Sequence, residues 1–211
     1  QLYNTVDTIV VGQFVGKEAL AAVGTTSSII NTLVGFAAGL STGASVVISQ
    51  CYGSHDHKGL HHAVHTSICV TFLLGAAFTA VGILGADTLL RLQSTPEDVF
   101  TEAHTYLTIY FSGMLGLLTY NMGSGILRAV GDSRRPLYFL VFSAIVNTIL
   151  DLVFVVLLGM GVEGVAYATI IAQFLSAALT LWVLTRDHAP YGIHWGHLSI
   201  DVPTLKRIIS I

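Results

Sequence analysis

Asp7 and Asp151 stand apart from the other acidic residues because each lies alone inside a long apolar stretch. Within residues 1–16 and 137–158 they are the sole Asp, Glu, Lys or Arg. A carboxylate at mid-bilayer costs about 2.5–3.5 kcal/mol on insertion scales, so one is retained there for a reason. Asn147 precedes Asp151 by four residues and shares its helix face. Carboxylate and amide oxygens suit a small hard cation such as Na+, or a proton, with no sulfur or imidazole to favour a transition metal. Two carboxylates in one apolar site cannot both stay ionised cheaply. Such a pair can exchange H+ or Na+ as its exposure changes.

The elements that must position these groups follow from the scarcity of charge. Of 211 residues, 53% are hydrophobic and only 10% charged. Soluble domains average about 25% charged, and so few charges cannot cover a compact soluble surface. Disordered chains are charge-rich and apolar-poor, which excludes disorder. A net charge of −3 argues against nucleic acid as a partner. The reading is an integral membrane protein.

No Asp, Glu, Lys or Arg occurs in residues 19–55, 59–86, 103–127 or 164–185. Since a bilayer core of about 30 Å takes about 20 apolar residues per helix, the spans fall near 1–15, 20–50, 60–86, 100–127, 137–158 and 164–186. The expected fold is therefore all-α, a six-transmembrane-helix bundle with a truncated first helix. These runs are too long and too uniformly apolar for barrel strands. Pro96, Pro136, Pro190 and Pro203 all fall between spans, where they break no helix. Cys51 and Cys69 are too few for a disulfide framework. Gln1 is not an initiator Met and Ile211 ends inside a new apolar run, so a fragment of a longer protein is expected.

Loops after the second, fourth and sixth spans hold Lys58, Arg128, Arg134, Arg135, Arg186, Lys206 and Arg207, whereas the opposite loops hold only Lys17 and Arg91. This bias places the even loops and both ends of the bundle in the cytoplasm. Asp151 lies about 12 Å below the turn at Gly159, Thr169 about 8 Å below Gly164, and Asp7 about 13 Å below Gly16, at 1.5 Å per helical residue. Three spans thus bring Asp7, Asn147, Asp151 and Thr169 to a similar depth, provided these faces turn inward.

Other signals carry blander readings. Gly35, Gly39 and Gly43 form a small-residue stripe that suits close helix packing. Gly159-x-Gly161-x-x-Gly164, with Asp187 further on, spells a dinucleotide fingerprint but follows an apolar helix rather than a strand, so a tight turn explains it. His57, His61 and His65 would share one helical stripe that could hold Zn2+, while an interfacial or pH-sensing role needs no metal. Gln50, Asn121 and Gln173 read as helix–helix hydrogen-bonding groups, with lining of a substrate cavity as the alternative. Residues 201–211 read as the start of an interfacial helix, with Asp201 as its N-cap. No nucleophile–base pair or metal triad appears at membrane depth, so an enzyme is not expected.

Four segments resemble the multidrug and toxic compound extrusion (MATE) transporters. Tyr3-Asn4-Thr5-Val6-Asp7-Thr8-Ile9-Val10-Val11-Gly12, followed by Leu20-Ala21-Ala22-Val23-Gly24, is similar to their first helix and loop. Ser49-Gln50-Cys51-Tyr52-Gly53 resembles the end of their second helix, and the run Leu127-Arg128-Ala129-Val130-Gly131-Asp132-Ser133-Arg134-Arg135-Pro136 a cytoplasmic-side boundary. Asn147-x-x-x-Asp151 resembles the cation-site motif of the fifth helix. The resemblance implies one lobe of a twelve-helix, two-lobed transporter: residues 1–186 as the N-lobe, 187–211 as the cytoplasmic linker and start of a seventh helix, and a missing C-lobe as partner. It further implies export of small organic, often cationic, compounds across the cytoplasmic membrane in exchange for Na+ or H+, with no other cofactor. Asp7, Asn147, Asp151 and Thr169 would form the cation site, with Tyr3 lining the adjoining cavity. Two rivals are a lipid-linked saccharide flippase of the same superfamily and a non-transporting assembly subunit. The flippase is disfavoured because no basic residue lies within the spans.

Overall fold

The computed structural model describes residues 2–186 and 189–211, with the side chains of residues 2–4 left out. The chain runs α1 (Leu2–Phe14), α2 (Lys17–Gly53), α3 (His57–Leu92), α4 (Glu97–Ser112), α5 (Met114–Ala129), α6 (Arg134–Leu152), α7 (Val162–Arg186) and α8 (Val202–Ile209), with no strand among the described residues. Among the described residues, four helices are long and apolar enough to cross a membrane: α2, α3, α6 with its continuation to Leu157, and α7. α2 has 37 residues, about 55 Å at the helical rise, well beyond the apolar thickness of a bilayer.

The span expected at 100–127 is not one helix. It is α4 and α5, which meet at Gly113. A Cβ on Gly113 would lie 2.5 Å from Ile170 Cγ2, so α7 presses on bare backbone at the break. One glycine in a long apolar run carries no sequence mark of that approach. Beyond it, α5 is buried from Met122 to Leu127 without interruption. It packs centrally, against α2, α3 and α7.

Helix starts follow local chemistry. Asp56 Oδ1 accepts from the Gly59 N–H at 2.9 Å and caps α3. Gly131, at φ 92°, turns the chain out of α5, and Asp132 Oδ1 then accepts from the backbone N–H groups of Arg134 and Arg135, 3.2 Å each. The Arg135 guanidinium also pairs with Asp132. Burial works against the Asp132 charge, but these Arg135 and Arg134 contacts hold its carboxyl below the usual range. Asp201 caps α8 through Thr204, as expected. The glycine string at 159–164 is a turn, opened by Gly159 at φ 66° and braced by the Gly161 N–H donating to Glu163 Oε1 at 3.1 Å.

α6 is inside-out relative to a soluble helix. Its buried residues are Pro136, Ser143, Asn147 and Asp151, while Leu137, Val141, Phe142, Ile145 and Ile149 are exposed. A lipid-facing helix has this pattern, with polar groups turned to the bundle interior. Directly after Asp151 and Leu152 the helix widens into a π turn over Val153–Leu157, a distortion often found beside functional sites.

Among the described residues, the glycine stripe of α2 meets a neighbour at one position. Gly43 meets the backbone of Ile208 on α8, where a Cβ would lie 2.6 Å from its carbonyl oxygen, but Gly35 and Gly39 have nothing within 4 Å.

Candidate functional site

The acidic residues inside the spans converge. Asp7 on α1, Asn147 and Asp151 on α6, and Thr169 on α7 are all fully buried at 0% exposure. The Thr169 hydroxyl donates to Asp7 Oδ2 at 2.6 Å and accepts from Asn147 Nδ2 at 3.2 Å. The two carboxyl groups lie side by side within direct interaction range. The depth estimate placed these four groups together from three separate spans, and the inward faces required by it are the faces observed.

A fifth group joins them. The buried Tyr106 hydroxyl, on α4, donates to Asp7 Oδ2 at 3.2 Å. Tyr106 was missed because aromatic residues are unremarkable in apolar spans. The depth arithmetic contains its signal: ten residues beyond Pro96, Tyr106 lies about 15 Å down its span, close to Asp7.

Most of the acceptor capacity here is unused by the protein. Asp7 Oδ1, Asn147 Oδ1 and both Asp151 oxygens are buried with no hydrogen-bond partner. Among the described residues, no Lys or Arg neighbours the pair. Two adjacent, uncompensated carboxylates would carry a desolvation penalty of several kcal/mol per ion, so the pair requires a proton or a bound cation. The oxygen-only donor set fits Na+ or H+ and has nothing soft to attract Zn2+ or copper.

Other sequence candidates lie elsewhere. Gln50 is exposed and accepts from the Arg207 guanidinium of α8. Asn121 Nδ2 donates to Leu117 O at 2.8 Å within its own helix, and the Asn121 carbonyl accepts from Ser41 Oγ at 2.7 Å. Neither touches the carboxylate cluster. The Tyr3 side chain lies outside the described residues. In the histidine stripe, His65 uses both ring nitrogens, Nδ1 against His61 O at 2.8 Å and Nε2 accepting from the His194 N–H at 3.0 Å. With His65 so engaged, the His57–His61–His65 stripe has no third ligand. Among the described residues, no three His, Cys, Asp or Glu side chains are arranged for a metal. His65 instead holds the segment after α7 against α3.

The sequence profile of the MatE family matches residues 1–153, well over half of the chain. The chain belongs to the MatE family. A probable multidrug resistance protein of Bacillus subtilis, YpnP, is 35% identical over 192 residues, covering 90% of this chain and 43% of that protein. An FAD transporter of Shewanella oneidensis is 27% identical over 190 residues, 88% of this chain and 42% of its own. Among solved structures, an inward-facing multidrug resistance MATE family transporter superposes with a TM-score of 0.92 at 30% identity, covering all of this chain and 48% of that one. An outward-facing structure matches with a TM-score of 0.91 at 29% identity. These MatE relatives are transporters rather than enzymes, and the chain spans less than half of their length. Its fold is that of one lobe of such a transporter.

Proposed function

We propose that this chain is the N-lobe of a cation-coupled exporter of small organic compounds, residues 1–186 forming the bundle and 187–211 the connection to a second lobe. Asp7 and Asp151 are its coupling site, with Asn147 and Thr169 completing the oxygen set. The observation that carries this reading is the buried carboxylate pair with its unpartnered oxygens and no neighbouring basic residue. Na+ or H+ reaches the pair from the outside in one state, neutralises it, and leaves to the cytoplasm in the other, driving substrate outward. The Lys- and Arg-rich loops orient that end of the bundle to the cytoplasm. Substrates are organic cations, in keeping with spans that carry buried carboxylates but no Lys or Arg. The near-equal match to inward- and outward-facing structures supports a lobe that keeps its shape while access alternates.

The test is efflux of a fluorescent organic cation by the full-length transporter in proteoliposomes, with Na+ and H+ gradients imposed separately. Efflux that follows one gradient is expected. Efflux indifferent to both overturns the coupling.

A further inference from the structure

Each of the three helices α4, α6 and α7 carries a second buried polar residue one turn from the carboxylate cluster. Tyr110 follows Tyr106 by four residues on α4, Gln173 follows Thr169 by four on α7, and Ser143 precedes Asn147 by four on α6. α4 and α7 run toward the Lys- and Arg-rich end of the bundle and α6 runs away from it. All three residues are therefore displaced in the same direction, by about 6 Å.

These residues form a layer, with exposures of 2% for Tyr110, 0% for Ser143 and 3% for Gln173. Gln173 Nε2 reaches the Tyr110 hydroxyl at 3.5 Å. Ser143 Oγ and Gln173 Oε1 have no hydrogen-bond partner. Leaving a polar atom buried and unpaired costs about 1–3 kcal/mol, and two such atoms at one level call for an explanation. The helix break adds a third feature. Gly113 lies beside this layer, and a Cβ there would be 3.2 Å from Gln173 Oε1. Discontinuous helices in membranes commonly flank ion sites.

We propose that Tyr110, Ser143 and Gln173 form a neutral oxygen station that receives the coupling cation, as Na+ or as a water-borne proton, when it leaves the Asp7–Asp151 pair for the cytoplasmic end. The proposal rests on the cation reading of that pair. A layer without formal charge binds more weakly than two carboxylates, and that is what transit requires: favourable enough to enter and weak enough to leave.

The experiment uses the full-length transporter in oriented proteoliposomes, comparing Ser143→Ala, Gln173→Met and their double variant with Asp151→Asn. Ser143→Ala removes an oxygen that bonds to nothing in the fold, so thermal stability is unchanged or raised. In the double variant, gradient-driven turnover falls by about tenfold, equivalent to about 1.4 kcal/mol. Its half-saturating cation concentration rises on the cytoplasmic face only. Wild-type turnover in the double variant, with Asp151→Asn inactive, overturns the station and leaves the carboxylate site standing. An equal shift on both faces marks a merely structural role and also overturns the station. Full gradient-driven turnover in Asp151→Asn removes both readings together.

Discussion

Thr169 donates its hydroxyl to Asp7 Oδ2 at 2.6 Å, joining two residues 162 positions apart in the chain. The bond ties α1 to α7, and Asn147 Nδ2, bonded to the same Thr169 oxygen at 3.2 Å, ties both to α6. Charge that is costly in a membrane is thus held between the first helix and the consecutive pair α6 and α7, far along the chain. A change in its neutralisation acts on all three at once.

Tyr106→Phe keeps the ring that packs in the core and removes the donor to Asp7. A hydrogen bond to a charged group contributes about 1.5–3 kcal/mol, so gradient-driven efflux should fall by roughly tenfold or more. The same bond contributes to the fold, so the melting temperature read by scanning fluorimetry should also fall, while the retained ring keeps the core filled. Unaltered efflux would show that the Tyr106–Asp7 contact is idle.

Gly113→Ala introduces a methyl group 2.5 Å from Ile170 Cγ2. Overpacking of this kind costs about 1–3 kcal/mol. The backbone at φ −94° accepts alanine, so the clash alone is responsible. Pairing with Ile170→Ala removes the Cγ2 contact but keeps the Ile170 Cβ at 2.9 Å, so part of the loss should be recovered, and strictly additive losses in the double-mutant cycle would locate the strain elsewhere.

His65→Ala removes the acceptor for the His194 N–H and the partner of the His61 carbonyl. Hydrogen exchange at His194 and Ile193 should accelerate by at least tenfold, with about 1–3 kcal/mol lost locally. Amides of the buried α5 core, such as Leu127, should keep their protection. Equal loss at both places would mean global destabilisation rather than release of this segment.

Asp132→Ala removes the cap at the start of α6 and should cost about 1 kcal/mol at pH 7. Because hydrogen bonds in the folded state hold the Asp132 carboxyl below its ordinary value near 4, its contribution is complete above that value. The contribution is lost as the pH falls below about 4, through the lower value of the folded state. The difference in melting temperature between wild type and variant should therefore close in acid. A gap that stays constant throughout the acid range in which the protein remains folded would contradict a charge-dependent cap.

The cluster was legible in the sequence because two physical constraints are strict there. Charge in a span is costly, which singled out Asp7 and Asp151, and helical rise fixes depth, which aligned them with Asn147 and Thr169. Tyr106 and Ser143 obey the same depth rule but carry no charge, so composition gave no reason to ask where they lie. The break at Gly113 was hidden because its cause, the approach of Ile170, is tertiary. The role of His65 was hidden for a related reason: helical spacing shows which rings of the His57–His61–His65 stripe share a face, but not that the His194 N–H takes the remaining nitrogen of His65. The π turn after Asp151 likewise has no counterpart in the apolar run Val153–Leu157.

The measurement that bears most directly on the carboxylate pair is gradient-driven substrate efflux by full-length Asp151→Asn protein, reconstituted after its fold is verified by melting. Asparagine keeps the shape and an oxygen but cannot carry the charge that a departing cation leaves behind. The expected result is a folded transporter that no longer couples efflux to the Na+ or H+ gradient. Efflux at the unsubstituted rate, still driven by the same gradient, would contradict the assignment of the coupling site to Asp7 and Asp151.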